Sequence, residues 1–279
     1  MDSSLEQALK KEGKLKEFLK KYSSMAIAYS GGVDSTYLAA IAYETLGEHS
    51  VLLIADTPSL PRDELKEAIE LAKQQGWKIS IIHPNEFEDE RYLKNDSYRC
   101  YYCKSKLFQS MSEFTKHNNI EAIACGETAD DLKDTTRTGK LAMEEFGILT
   151  PLSEVGLYKE EIRRLSQLRQ LPTADKPSFA CLSTRIPTGI PITLESLEQI
   201  ESAEKVLKSL GFKQYRVRTY QDLARIEVEL NDLPRLVSEP TRSQVVQELK
   251  KLGYRFVTLD LAGYKTGSTA TPNPPTPIE

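Results

Sequence analysis

The sequence predicts an α/β protein, a parallel sheet with helices on both faces, followed by a small α+β domain. Three observations predict it. Up to about residue 190, short apolar runs alternate with amphipathic helical stretches, the rhythm of strand–helix–strand units. The passage 184–191, TRIPTGIP, concentrates proline and glycine and breaks that rhythm, as a joint between domains does. Beyond it the order becomes helix, two strands, helix, strand. The expected division is therefore 1–190, 191–264 and a Pro/Thr-rich tail at 265–279, too poor in apolar residues to build a core and so expected to be disordered.

Taken in order, the stretch 5–20 is a Lys/Glu-rich helix, expected to present a solvated face. Strands are expected at 25–29, 51–55, 78–83 and 121–125, each a short apolar run, with a weaker one at 148–150. Helices are expected between them at 35–46, 62–75, 104–117 and 159–169. Pro61 sits where a first-turn proline belongs, and Gly76 where a helix stops. The second domain reads helix 194–210, strands 215–219 and 224–229, helix 233–252 and strand 256–260, with no internal repeat.

Hydrophobic residues make up 39% of the 279 and charged residues 28%, the balance of a soluble chain long enough to bury its own core. Lys and Arg total 37 against 41 Asp and Glu, a net charge of −4. That argues against a globally basic nucleic-acid binder, a local basic patch aside. No run approaches the ~18 apolar residues of a bilayer span, and the charged opening MDSSLEQALKKEGKLKEF lacks the apolar stretch of a secretory signal. A cytoplasmic protein is expected. In that compartment four cysteines serve as buried thiols, metal ligands or reagents, not as a disulfide framework.

An apolar strand runs into Ser30-Gly31-Gly32-Val33-Asp34-Ser35, and a helix leaves it. Two glycines let the backbone approach an anion, and the new helix aims unpaired N–H groups and its positive end at it. Ser30 and Ser35 add hydroxyl donors. Asp34 repels a bare anion, so Mg²⁺ or a helix cap must account for it. The loop is neither a Walker loop nor the G-x-G-x-x-G of dinucleotide folds. It resembles the SGGxDS signature of the PP-loop ATP pyrophosphatases, adenine nucleotide α-hydrolase-like enzymes that cleave ATP between the α and β phosphates, adenylate an oxygen and release pyrophosphate. The resemblance implies ATP and Mg²⁺, with Ser30, Gly31, Gly32, Asp34 and Ser35 at the phosphates. It places Asp56 of Ala55-Asp56-Thr57 at the adenosine, and Gly126 of Gly126-Glu127-Thr128-Ala129-Asp130-Asp131 at the nucleotide. Both lie at the carboxyl ends of expected parallel strands, where open α/β sheets bind ligands. Asp130, Asp131 and Asp134, with Arg137 close behind, suit Mg²⁺ on pyrophosphate; a solvated acidic turn or helix cap is the alternative.

Cys100-Tyr101-Tyr102-Cys103 is a CxxC pair, with Cys181 far downstream. A CxxC serves as a redox dithiol, half a zinc site or part of an iron–sulfur site. His117 follows at a finger-like spacing with no second His after it, and His49 and His83 read as structural. Three thiolates suit a [4Fe-4S] cluster with one open iron, an arrangement that carries an extra sulfide. Cys125 ends an apolar strand and reads as a buried core thiol.

PP-loop enzymes divide into amide formers and sulfur inserters, and the cysteines favour the second. The segment Asp175-Lys176-Pro177-Ser178-Phe179-Ala180-Cys181-Leu182-Ser183-Thr184-Arg185-Ile186-Pro187-Thr188-Gly189 resembles the sulfur-donor segment of the ATP-dependent sulfur transferases of nickel-pincer nucleotide biosynthesis, the LarE family, which act in maturing lactate racemase. GFKQYRVR at 211–218, ARIE at 224–227 and GYRFVTLD at 253–260 resemble it too, so the likeness runs from about residue 5 to about 265. It implies adenylation of the carboxylates of pyridinium-3,5-dicarboxylate mononucleotide and their conversion to thiocarboxylates by sulfide. The family has two chemical styles. In one, a lone cysteine at the position of Cys181 gives up its sulfur and becomes dehydroalanine; in the other, three cysteines assemble a cluster that supplies sulfide. Cys100, Cys103 and Cys181 match the second and are expected to converge beside the α-phosphate.

Arg216 and Arg218 alternate on one strand and share a face. With Arg185 they are expected to hold the substrate phosphate, an exposed strand face being the alternative. Glu204 and Glu227 are expected to orient these arginines or bind a metal. The resemblance also implies a homo-oligomer. The rival readings are a PP-loop tRNA thiolase, which would need a basic RNA surface, an amide-forming ligase of the NAD or GMP synthetase kind, which gains nothing from the cysteines, and a non-catalytic metal-binding module.

Overall fold

The structure is a computed structural model, described for residues 3–131, 138–177 and 180–265. The chain divides into two compact units, Met1–Glu88 with Cys100–Phe179, and Asp89–Arg99 with Ala180–Glu279. The first contains α1 (Ser3–Leu19), β1 (Met25–Ala28), α2 (Val33–Leu46), β2 (Ser50–Ala55), α3 (Arg62–Gln74) and β3 (Ile79–Ile82). The single turn α4 (Glu90–Leu93) belongs to the second unit. The first then resumes within α5 (Arg99–His117) and continues through β4 (Ala122–Cys125), α6 (Gly139–Glu145), α7 (Pro151–Glu154) and α8 (Lys159–Leu168). Its strands form one parallel sheet in the order β3-β2-β1-β4.

Alternate strand residues face opposite ways, and both faces are covered. Met25, Ile27, Leu52 and Ile54 share a core with Leu15 of α1, Tyr37 of α2 and Ile162 of α8. Ala26, Val51, Leu53 and Ile123 share another with Phe108 of α5 and Ala142 of α6. A sheet buried on both sides needs strands that are apolar on both sides, which is why MAIA and SVLLIA read as continuous runs. The class predicted from the alternation is the class observed. The weak strand at 148–150 is reduced to one parallel bridge, Ala124 with Leu149, because Pro151 follows with no N–H for a ladder and opens α7 instead.

The helix α1 is less solvated than expected: Ala8, Glu12, Leu15 and Leu19 are buried along it. Glu12 accepts from Arg169 at 2.9 and 2.6 Å and from the Tyr37 hydroxyl at 2.8 Å. Burial works to raise its pKa, but the bonds from Arg169 and Tyr37 outweigh burial and hold it below the ordinary value.

The second unit adds α9 (Leu194–Ser209), the antiparallel pair β5 (Tyr215–Tyr220) and β6 (Leu223–Val228), α10 (Leu233–Val237), α11 (Thr241–Lys251) and β7 (Phe256–Leu259). β7 joins β6 in parallel after the helical crossover, over a core that includes Leu207, Val217, Ile226 and Leu249. The expected helix 233–252 is two helices, because Pro240 bars the residue before it from helical geometry.

The passage 184–191, expected as a joint, lies inside this unit, and residues 89–99 hold it there. Asn95, fully buried at φ 55°, donates Nδ2 to the carbonyls of Pro187 and Ile190 at 2.9 and 2.7 Å. Its own carbonyl accepts the Gly189 N–H at 2.8 Å. Tyr92 Oη lies 2.6 Å from Ser183 Oγ. Proline and glycine mark a turn, but long-range hydrogen bonds decide which body it packs with. No helix among the described residues is long and apolar enough to cross a membrane.

Candidate functional site

Between β1 and α2 the chain turns through Ser30, Gly31 and Gly32, and Ser35 ties the turn shut. Its Oγ accepts the Ser30 N–H at 3.2 Å, lies 3.1 Å from Ser30 Oγ and donates to the Gly32 carbonyl at 3.3 Å. Gly31 has φ +70°, and a Cβ there would stand 2.5 Å from Ala68 Cβ of α3, so backbone conformation and close approach both demand glycine. Gly126, just past β4, also passes close: a Cβ would stand 3.0 Å from Ser35 N and 3.1 Å from the Asp34 carbonyl carbon. These elements bound a cavity of ≈ 230 Å³ lined by Ser30, Gly32, Asp34, Gly126, Glu127 and Lys159 among others. It lies at the carboxyl ends of β1 and β4 and the N-terminus of α2, where such a sheet binds anions.

Asp34 brings a carboxylate to this cavity. Its Oδ2 pairs with Lys159 Nζ at 2.9 Å, while Oδ1 is buried with no hydrogen-bond partner among the described residues. Burial raises its pKa above the ordinary value; Lys159 opposes the rise and Asp131 adds to it. An orphaned carboxylate oxygen beside an anion cavity fits a hard divalent cation. Asp131 accepts the Thr128 N–H and hydroxyl at 2.9 and 2.8 Å, and Asp130 accepts the Lys159 N–H at 2.7 Å, capping α8. Asp134 and Arg137 lie outside the described residues. Asp56, at the end of β2, pairs with Arg62 at the head of α3.

The CxxC sits in a helix. α5 starts at Arg99 and not at 104, so Cys100 and Cys103 stand three apart in its first turns, neighbours on one face. Cys100 is exposed and Cys103 half-buried. The next residue, Lys104, reaches Glu127 on the cavity wall at 2.8 Å. Cys125 is buried, its Sγ 3.5 Å from Met143 Sδ, and burial pushes its thiol up to about 11; it is the core thiol expected. Cys181 is exposed at the entry to a short 3₁₀ turn, Leu182–Arg185, in the second unit. Among the described residues no three His, Cys, Asp or Glu side chains form a group able to hold a metal ion. The CxxC supplies two soft sulfur donors, a chemistry that fits iron and not Mg²⁺.

In the second unit the arginine face is buried, not exposed: Arg216 is 5% and Arg218 4% accessible. Arg218 donates to Glu227 at 2.8 Å and to the Thr184 carbonyl at 2.9 Å, and Arg225 takes the other Glu227 oxygen at 2.9 Å. Burial lowers the pKa of Arg216, and the charges of Arg185 and Arg218 lower it further. Glu204 and Glu227 are thus spoken for by arginines. Arg185 departs from its expected role as a third phosphate ligand. It is wholly buried, with Nε and Nη2 on Glu204 and Nη1 on the carbonyls of Ala180 and Cys181.

Over 258 residues, 92% of each chain, the protein is 31% identical to the pyridinium-3,5-bisthiocarboxylic acid mononucleotide synthase of Lactiplantibacillus plantarum. The chain belongs to the LarE family. It is also 39% identical over 253 residues, 91% of this chain and 94% of the other, to an uncharacterized protein of Synechocystis sp.. A more distant likeness, 24% over 225 residues, links 71% of this chain to 59% of a glutamine-hydrolyzing GMP synthase component from Saccharolobus solfataricus. That likeness agrees with the PP-loop α/β fold of the first unit. No protein-family model matches the chain.

Within this LarE-family chain, the predicted Ser30, Gly32, Asp34, Ser35 and Gly126 line one cavity, and Gly31 shapes it. Glu127, on its wall, stands in the sequence only as part of the Gly126–Asp131 motif, and Lys159, also on the wall, carries no functional signal in the sequence. Lys159 opens a helix in Tyr158-Lys159-Glu160-Glu161, and a charged residue there reads as ordinary helix-end chemistry. Only folding brings it to Asp34.

Proposed function

We propose that the protein is an ATP-dependent sulfur transferase that adenylates the carboxylates of pyridinium-3,5-dicarboxylate mononucleotide and converts them to thiocarboxylates, releasing AMP and pyrophosphate. The observation that carries the reading is the cavity at the Ser30–Ser35 turn, with its helix N-terminus and the Asp34 oxygen that has no partner among the described residues. The LarE relative, whose name is that of a bisthiocarboxylic acid mononucleotide synthase, supplies the substrate class.

A carboxylate is a poor acyl donor, because oxide would have to leave. Its oxygen attacks the α-phosphorus of ATP, the bond from that phosphorus to the α–β bridging oxygen breaks, and pyrophosphate departs. Hydrosulfide then attacks the acyl carbon, the carbon–oxygen bond to AMP breaks, and the S–H proton passes to solvent. A second ATP serves the second carboxylate. Backbone N–H groups of the turn and the Lys159 ammonium stabilise charge on the departing pyrophosphate. Asp34, with Asp131 beside it, would hold Mg²⁺, which supplies charge neutralisation on the phosphates. Arg216 and Arg218 hold the phosphate of the mononucleotide.

Cys100, Cys103 and Cys181 are the sulfur-handling thiols and would be the ligands of a [4Fe-4S] cluster. When bound, such a cluster supplies Lewis acidity that keeps sulfide deprotonated near neutral pH. Amide formation, the rival PP-loop chemistry, has no use for these thiols.

The test is anaerobic turnover with Mg-ATP, the dicarboxylate nucleotide and sulfide. AMP, pyrophosphate and thiocarboxylate are expected; ADP and phosphate as main products would overturn the reading. Cys100→Ser, Cys103→Ser and Cys181→Ser should each lower iron content and stop thiocarboxylate formation, while Cys125→Ser costs packing only. If intact-protein mass spectrometry finds dehydroalanine at position 181 while the Cys100→Ser/Cys103→Ser variant keeps full activity, sulfur comes from Cys181 itself and the cluster assignment is wrong.

A further inference from the structure

We propose that Arg185 is a positioning residue: with Glu204 it clamps the Cys181 turn to the strand that carries Arg216 and Arg218, making the sulfur-handling thiol and the phosphate anchor one rigid assembly. This rests on the reading of Cys181 as a sulfur-transfer thiol.

A guanidinium taken out of water is costly unless its donors are met. Arg185 is 0% exposed, and the way its donors are met is informative. Nη1 donates to the Ala180 carbonyl at 2.6 Å, the Cys181 carbonyl at 3.0 Å and Thr184 Oγ1 at 3.0 Å. Nε and Nη2 donate to the two oxygens of Glu204 at 2.9 and 3.0 Å. Glu204 Oε1 also accepts the Val217 N–H at 3.1 Å, the amide between Arg216 and Arg218. Arg218 then donates back to the Thr184 carbonyl at 2.9 Å, and the Thr184 N–H and hydroxyl donate to the Cys181 carbonyl at 3.0 and 2.8 Å.

The circuit is closed. Its backbone at Cys181 is held by three donors, while the residue itself is exposed. Stability alone is a weak explanation, since a buried ion pair contributes little beyond a well-packed apolar pair. What the circuit does supply is a fixed spacing between Cys181 and the arginine pair, the kind of preorganisation that a group-transfer step needs. Lysine cannot substitute. A planar fork reaches the carbonyls on one side and the carboxylate on the other, whereas an ammonium is a single point.

The experiment uses the full chain. Hydrogen exchange is followed at the amides of 181–186 and of the β5–β6 hairpin in the parent, in Arg185→Lys and in Thr184→Val, which keeps the Arg185–Glu204 pair and so the fold. Thiocarboxylate formed per pyrophosphate released is measured alongside. Arg185→Lys should lose protection at 181–186 by about tenfold or more while the hairpin keeps its own, and the product ratio should fall by about tenfold or more. KM for the mononucleotide should stay within about threefold, and Thr184→Val should shift both readouts in the same direction by less. Unchanged exchange and product ratio would overturn the proposal, and so would a loss of protection spread through the hairpin, which marks a packing residue. If the parent makes no thiocarboxylate, the functional reading fails by itself, and the exchange pattern still decides whether Arg185 holds the turn.

Discussion

Gly31→Ala attacks the Ser30–Ser35 turn at its tightest point. The added Cβ would sit 2.5 Å from Ala68 Cβ, about 1 Å inside ordinary carbon–carbon contact, in a helical residue of α3 that is itself buried. Two costs combine: about 1–2 kcal/mol for an L-residue in the left-handed region, and about 1–3 kcal/mol for overpacking. Together, about 2–5 kcal/mol is a large share of a domain's ~5–15 kcal/mol. If the turn instead swings away from α3 by about 1 Å, pyrophosphate release should fall about a hundredfold.

The companion variant separates the two costs. Ala68→Gly alone costs about 1 kcal/mol as a glycine in a helix, yet in the Gly31→Ala background it removes the atom struck. The double variant should recover the steric share, leave the left-handed share, and show a favourable coupling of about 1–3 kcal/mol. Recovery is partial, because Ala68 Cα would still stand 3.2 Å away. Urea denaturation gives the cycle, and Mg-ATP-dependent pyrophosphate release gives the activity. A strictly additive cycle, or parental activity in Gly31→Ala, would refute the reasoning.

Asp34→Asn should lower pyrophosphate release about a hundredfold or more. Because burial raises Asp34 above the ordinary carboxylate value, its protonation favours the folded state. That contribution is present below the ordinary value and lost as pH rises through the raised one, so the variant's stability relative to the parent should improve from acid to alkaline buffer. Lys159→Ala removes the counter-charge 2.9 Å from Asp34, and the acid limb of the pH–rate profile should move to higher pH; an unmoved limb would mean that Lys159 does not face Asp34 during turnover. Glu12→Gln breaks the pair with Arg169, whose side chain is a quarter exposed; discounted for that exposure, the loss should be about 2–3 kcal/mol by urea denaturation. Glu12 is held below its ordinary value, so its contribution is present above that value and lost as pH falls through the lowered one. The gap between parent and variant should therefore close in acid.

What is legible in the sequence is local. Strand runs such as MAIA and SVLLIA are apolar on both faces because both faces are covered, and that pattern survives in the bare sequence. The turn between β1 and α2 is legible because its requirements fall on six consecutive residues, Ser30–Ser35. The break at Pro240 is equally local, since the proline bars Glu239 from helical geometry. Arg185 reads as a phosphate ligand in sequence because an arginine in a motif looks the same whether its fork meets a ligand or the protein's own carbonyls.

The sequence by itself determined the α/β class, the covered parallel sheet and the tight glycine turn between β1 and α2, since periodicity and backbone preference act within a few residues of one another. Only the tertiary structure decided the partners of the charges. Lys159 meets Asp34 across 125 positions, Arg169 meets Glu12 across 157, and Asn95 holds the 187–190 turn across more than 90. A hydrogen bond or ion pair exists only at about 3 Å, and no spacing along the chain encodes which distant residues the sheet order brings to that distance.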